Sequence, residues 1–183
     1  MNRSNQFPGI KFSLCMAAML LSMASHASWT DGAGNPVPDK PSMRSSGDFG
    51  AQLILTGNAE GFRKAWNATT GTPTLPSSST VRLGQSISAV IVFGGCKAGV
   101  TNKCQVSVDF ALLAPDGTKT PVGNGPVWSK EAPKPRILML GDASVTVGFE
   151  KNDPPGIYTL IAKVKDRVAN QNLQLTMPFT VTK

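Results

Sequence analysis

The chain has little of what most enzymes work with. Of its 183 residues one is histidine, three are cysteine and one is tyrosine. The single histidine, His26, sits in the N-terminal segment, so the rest of the chain has no imidazole for a Ser-His or Cys-His pair. There is no G-x-S-x-G, no S-x-x-K, no P-loop and no dinucleotide fingerprint. No acidic ladder suggests calcium. The one formal acid set, Asp142, Glu150 and Asp153, falls on strand ends and turns, where solvated carboxylates are ordinary. The expectation is a protein with no catalytic residues, no cofactor and no metal.

A long apolar run is also missing. The longest, "FSLCMAAMLLSMA", covers 13 residues from Phe12 to Ala24, short of the roughly 18 needed for a membrane-spanning helix. It follows a start with Arg3 and Lys11 and no acid, and it ends in "SHAS" with small residues at Ser25 and Ala27. Charged start, short apolar centre and small-x-small site are the parts of a secretory signal peptide. Residues 1–27 are read as that signal, with cleavage after Ala27 or Ala24. An uncleaved anchor is the rival. A lipoprotein fits worse, because Cys15 lies inside the apolar run without small residues before it. No later segment is apolar enough to span, so the expected product is exported: periplasmic, or alternatively secreted or on the cell surface.

Removing the first 27 residues takes Cys15 with it and leaves Cys96 and Cys104, an even pair in an oxidising compartment. They flank "KAGVTNK", between the strand-like "SISAVIVF" and "QVSVDFALL". The simplest reading is a disulfide across the base of a hairpin loop, contributing roughly 2.5 kcal/mol in the chain-entropy model. Zinc would need about four nitrogen or sulfur ligands, and two thiolates make a poor site. The spacing is not that of a C-x-x-C redox motif.

The remaining 156 residues suit one domain, and 16 basic against 11 acidic side chains make it modestly basic. For an exported protein nucleic acid is not expected as a partner. Anionic envelope polymers are more accessible, although scattered charge alone argues for them weakly.

Strand periodicity dominates the pattern. Residues 28–48, rich in Pro, Gly and Ser, read as a loose leader, ahead of a domain at 49–183. "FGAQLILTG" is a short strand with Leu53 and Leu55 on one face. "NAEGFRKAWN" sets Phe62 and Trp66 one helical turn apart, with Trp66 as a lid on the core. From Val81 on, alternation sharpens. Ile87, Ala89, Ile91 and Phe93 share a face, as do Val106, Val108, Phe110 and Leu112. So do Val145, Val147 and Phe149; Tyr158, Leu160, Ala162 and Val164; and Leu173, Leu175, Met177, Phe179 and Val181. "APDGT" is a turn, and "VWSKEAPKPRI" an irregular connection. Period-two alternation of this kind marks half-buried antiparallel strands. About seven of them predict an all-β, single antiparallel sandwich with one short helix. Pro178 cannot donate to a ladder, so its strand is an edge or carries a bulge.

In "NDPPGIYTL", a turn carrying Asp153 and Gly156 precedes Tyr158 at a strand entrance. This resembles the tyrosine corner of immunoglobulin-like sandwiches, where the hydroxyl bonds back to nearby backbone. With "LGQSISAVIVF", "DFALLAPDGT" and "DPPGIYTLIAKVKD", the stretch from about Val81 to Thr182 resembles a bacterial immunoglobulin-like or fibronectin-III-like module of small exported proteins of unknown function. The resemblance implies fold and carries no activity. It departs from antibody domains: Leu160 stands where a second cysteine would follow the tyrosine, and the cysteine pair is expected within one hairpin rather than between sheets.

Two surface features are candidates for binding. Lys163, Lys165 and Arg167 share the face opposite Leu160 and Val164 and form a basic stripe, for an anionic glycan, a lipid headgroup or an acidic partner. A solvated outer face that discourages edge or face aggregation is the preferred reading of the stripe. Trp128 lies in the proline-interrupted "GNGPVWSKEAPKPR" with Lys130, Lys134 and Arg136, a setting for partner or sugar contact or for a Trp capping the core. The expected function is therefore a non-enzymatic binding or accessory protein of the cell envelope, with an envelope protein as partner. The alternatives are a glycan- or lipid-headgroup-binding module, and a fimbrial or chaperone-like component working by strand exchange. The last needs a free apolar strand at a terminus.

Overall fold

A computed structural model describes residues 29–31, 33–68 and 75–183. The expected signal peptide lies outside them. Nine strands and one helix follow in the order β1 (Met43–Ser46), β2 (Phe49–Thr56), α1 (Ala59–Ala68), β3 (Thr80–Arg82), β4 (Ser86–Gly94), β5 (Val106–Leu113), β6 (Lys119–Trp128), β7 (Met139–Gly148), β8 (Gly156–Asp166) and β9 (Gln171–Thr182). Two sheets form, β1-β2-β4-β7 and β3-β9-β8-β5-β6. All neighbours pair antiparallel except β3 with β9. The protein is an all-β sandwich.

The alternating residues fill the space between the sheets. Leu53, Ile91, Leu160 and Leu175 are nearly or completely buried there, with Phe49, Phe93 and Phe179. Burying each such side chain stabilises the fold by roughly 1.5–3 kcal/mol. Strand β4 departs from simple alternation, because from Ile87 onward it is buried on both faces. The reason is α1, which covers the outer face of the four-stranded sheet. Phe62 packs with Val90, Val92 and Leu140, and Trp66 lies half-buried at the rim of that second cluster. Trp66 is thus a lid on an outer-face cluster, not on the space between the sheets. Asn58 caps the helix by accepting from the Gly61 amide at 2.8 Å, and Arg63 reaches the Gly141 carbonyl at 3.3 Å.

Three expectations need correction. First, β4 and β5 are not a hairpin. They belong to opposite sheets, so Cys96 and Cys104, bonded with 6.0 Å between their Cα atoms, staple a crossover at the end of the sandwich. Hydrophobic alternation says which face a strand buries, not which strand it pairs with. Second, the described residues of the 28–48 segment are not a loose leader. Trp29 is buried against Gly50, its indole donates to the Arg44 carbonyl, and β1 pairs with β2. Third, Trp128 ends a strand instead of sitting in a loop, one of nine strands among the described residues that carry the expected sandwich. Strand β6 carries Pro121, Gly123, Gly125 and Pro126, which disguise it in the sequence; such residues are tolerated because it is the last strand of its sheet.

Pro178 sits on β9 with its ring nitrogen turned away from β8. The amides of Thr176 and Thr180, on the same side, donate outward to the Pro41 and Ser79 carbonyls. The missing donor of Pro178 falls in the gap between those two contacts, so no ladder bond is lost.

Candidate functional site

The strand register gathers four connections at one end. Gly50 pairs with Gly94, Phe93 with Met139, and Val106 with both Trp128 and Asp166. Residues 47–48, 95–105, 129–138 and 167–170 therefore share that end. They are tied to one another. The Cys104 amide donates to the Lys130 carbonyl and the Ala132 amide to the Asn102 carbonyl, each at 3.0 Å. Lys103 and Glu131 form a bridge. The Arg167 amide donates to the Gln105 carbonyl at 2.9 Å. Gly95 has φ +67°, and a Cβ there would collide with the Asp48 carbonyl, so two of the connections meet only because this residue is glycine.

Asp166 organises the same end. It is buried, and its carboxylate accepts from the amides of Lys97 at 2.7 Å, Val168 at 3.0 Å and Ala169 at 3.2 Å. Two connections are thereby held by one charged acceptor, the strong kind of hydrogen bond. Among the described residues the three non-glycine residues with positive φ, Asn102, Arg136 and Asn170, all lie in these connections. Asparagine tolerates that conformation. Arg136 does so at a cost of order 1 kcal/mol, a kind of strain that collects at binding sites.

The end is strongly cationic. Its connections carry Lys97, Lys103, Lys130, Lys134, Arg136 and Arg167 against Asp48 and Glu131. The connections at the other end, residues 57–58, 83–85, 114–118 and 149–155, carry Lys151 against Asp116, Glu150 and Asp153. The sandwich is thus polarised along its length. Among the described residues the side chains of Lys97, Lys103, Lys134 and Arg136 have no ion-pair partner. Lys130 pairs with Asp142 at 2.9 Å and lies 4.8 Å from the centre of the Trp128 ring.

The residues singled out from sequence fall into three places. Trp128, Lys130, Lys134 and Arg136 come together at the cationic end. Trp128 is committed inward, however: its ring packs on Phe93 at 5.6 Å and its indole donates to the Glu131 carbonyl at 2.8 Å. It supports the 129–138 connection rather than offering a free stacking face. Lys163 and Lys165 lie on the outer face of the five-stranded sheet. There Lys165 pairs with Asp109 at 3.1 Å, an exposed pair worth at most about 1 kcal/mol. Arg167 follows the last residue of β8 and leans over the same face, its Nε donating to Ser107 Oγ at 3.2 Å. The basic stripe is therefore interrupted by an acid. Arg167 also edges an open cleft of about 470 Å³ lined by Gln105, Ser107, Asp109, Asn124 and Ser129.

Tyr158, Asp153 and Gly156 lie at the opposite end. The Tyr158 hydroxyl donates to the Pro154 carbonyl at 2.9 Å, and the Asp153 carboxylate accepts from the Glu150 amide at 2.7 Å. Burial, with the nearby charges of Asp153 and Asp116, raises the Tyr158 pKa above the ordinary phenol value. Asp142, Glu150 and Asp153 do not form one acid set, since Asp142 pairs with Lys130 at the far end of β7. Among the described residues no group of three or more His, Cys, Asp and Glu is placed to hold a metal.

Sequence reasoning missed Lys97, Lys103 and Asp166. The first two join the cationic end only through the register. Asp166 did leave a signal: it shares the parity of Tyr158, Leu160, Ala162 and Val164, and an acid on the inward side of a strand requires hydrogen-bond donors.

No protein-family model matches the sequence, and no curated protein matches it. Solved structures resemble it distantly. The CARDB domain of a Pyrococcus furiosus protein, in complex with di-metal ions, aligns with a TM-score of 0.41 at 10% identity, over 72% of this chain and 92% of that one. A Niemann-Pick type C2 protein from the Japanese carpenter ant aligns with a TM-score of 0.37 at 9% identity, over 72% of this chain and 89% of that one. A sporulation control protein from Bacillus subtilis aligns with a TM-score of 0.41 at 9% identity, over 73% of this chain and 49% of that one. Likenesses this distant carry no argument about function, which has to come from the chain's own residues.

Proposed function

We propose that the chain is a non-enzymatic binding or accessory protein of the cell envelope, exported by way of residues 1–27, and that it docks on an anionic partner through its cationic loop end. The observation that carries this reading is the convergence of Lys97, Lys103, Lys134 and Arg136, without ion-pair partners among the described residues, on two connections, 95–105 and 129–138, that backbone hydrogen bonds tie together, the first of them also closed by the disulfide and held by Asp166. Flexible loops would have to be ordered on binding, at a cost in affinity; these are already held. Each cation brought to an anionic surface contributes on the order of 1 kcal/mol at low salt, and screening removes much of that as salt rises.

The accompanying fold reading is an immunoglobulin-like module, supported by the bond from the Tyr158 hydroxyl to backbone four residues upstream. The strand-exchange alternative has less support. Strand β1 is paired with β2, and β9 lies between β8 and β3.

The test is retention on a heparin resin, a simple anionic polymer. Wild type is compared with a loop-end variant (Lys97→Gln, Lys103→Gln, Lys134→Gln, Arg136→Gln) and with a control bearing Lys64→Gln, Lys119→Gln, Lys151→Gln and Lys183→Gln. The loop-end variant is expected to elute at much lower salt and the control near wild type. Equal loss in both would make binding a matter of net charge and remove the site.

A further inference from the structure

We infer that the anionic partner of the loop end is a lipid bilayer surface, into which Val100, Ile137 and Leu138 insert. This inference rests on the reading of the loop end as the binding end. Four large hydrophobic side chains are prominently exposed among the described residues, and three of them are at this end. Val100 is fully exposed at the tip of the stapled 95–105 connection. Ile137 and Leu138 are 50% and 45% exposed on the 129–138 connection, directly after Arg136.

The interleaving of apolar tips with cations selects the occupant. A packed protein interface has a contiguous apolar centre from which lysine is depleted. Here the apolar tips lie on two different connections, each of which also carries cations: Lys97 and Lys103 either side of Val100, and Lys134 and Arg136 just before Ile137 and Leu138. A soluble anionic polymer would use the cations and leave the apolar tips idle. A bilayer surface uses both: acyl chains and headgroups yield to a protruding side chain, and anionic headgroups pair with the surrounding cations. The disulfide and the Asp166 carboxylate hold the 95–105 connection in place, so the Val100 tip is presented without further ordering.

The test uses the full-length exported protein and vesicles of phosphatidylcholine alone or mixed with phosphatidylglycerol. Cosedimentation is measured for wild type, for Val100→Ser with Ile137→Ser, and for the four-site glutamine variant. Wild type is expected to bind only the anionic vesicles. The serine variant is expected to bind them at least tenfold more weakly, yet to elute from heparin at the wild-type salt concentration, which also shows that its fold and charge are intact. As a second readout, Val100→Trp should show fluorescence quenching by brominated phosphatidylglycerol beyond that of wild type.

Vesicle binding that the serine substitutions leave unchanged, or no added quenching in the tryptophan variant, would overturn insertion while leaving charge-based docking in place. Heparin binding without vesicle binding would overturn the lipid surface as partner. Loss of both heparin and vesicle binding in wild type would overturn the loop-end reading itself.

Discussion

The two ends of this sandwich are built differently. At one end Tyr158, Phe149 and Phe179 pack within 5.0–6.0 Å of one another, and the connections above them are short, proline-containing and mildly acidic. At the other end two connections, 95–105 and 129–138, are long and carry the cations and exposed apolar tips, and a disulfide, a buried carboxylate and backbone hydrogen bonds hold them. Apolar packing closes the first end. The second end displays its charged and apolar side chains, so its order comes from polar and covalent ties instead. A connection whose side chains point outward contributes little to the core, and something else has to fix it.

The difference gives ways to disturb one end without the other. The largest expected effect is Tyr158→Ala, which removes a ring from the aromatic group and should cost about 3–5 kcal/mol by denaturant unfolding. Heparin binding of the remaining folded protein should be unchanged, because the ring is at the far end. Next is Asp166→Ala, which leaves three amides without their acceptor and should cost about 2–3 kcal/mol. Amide exchange is expected to quicken at Lys97, Val168 and Ala169 and to stay slow at Tyr158. Replacing Cys96 and Cys104 by serine should cost roughly 2.5 kcal/mol. The same change should weaken heparin binding, because the cations at Lys97 and Lys103 are no longer held.

The smallest effect is a pH dependence confined to the aromatic end. Burial raises the Tyr158 pKa above its unfolded value, so the folded state holds its proton longer than the unfolded state does. The contribution is fully present below the ordinary phenol pKa near 10 and is lost as pH rises through the folded value. Because the chain has one tyrosine, phenolate absorbance reports this group alone. Tyr158→Phe should abolish that alkaline loss, which a comparison of unfolding midpoints across the alkaline range would reveal.

How far each end could be read from sequence follows from the same difference. The aromatic end is visible because Tyr158 and Phe179 stand in alternating strands and Phe149 continues the alternation of β7 one residue past its end, and alternation reports burial directly. The inner face of β4 is equally plain, but its outer burial under Phe62 is not, since a continuous apolar run does not say what covers it. Strand β6 is hidden because its prolines and glycines are tolerated only at an edge. The cysteine pair is readable by counting, whereas the fact that it spans two sheets depends on which strands pair. The cationic end is legible only in pieces. Lys130, Lys134 and Arg136 are neighbours in sequence, but Lys97, Lys103 and Arg167 join them through β-sheet register.

The most direct measurement is amide chemical-shift mapping of the protein titrated with a short heparin oligosaccharide. Shifts confined to residues 95–105, 129–138 and 167–170, with residues 114–118 and 149–155 unmoved, are the result expected if the cationic loop end is where this protein binds. Shifts centred on Lys163 and Lys165 of the outer sheet face, or spread evenly over both ends, would contradict it.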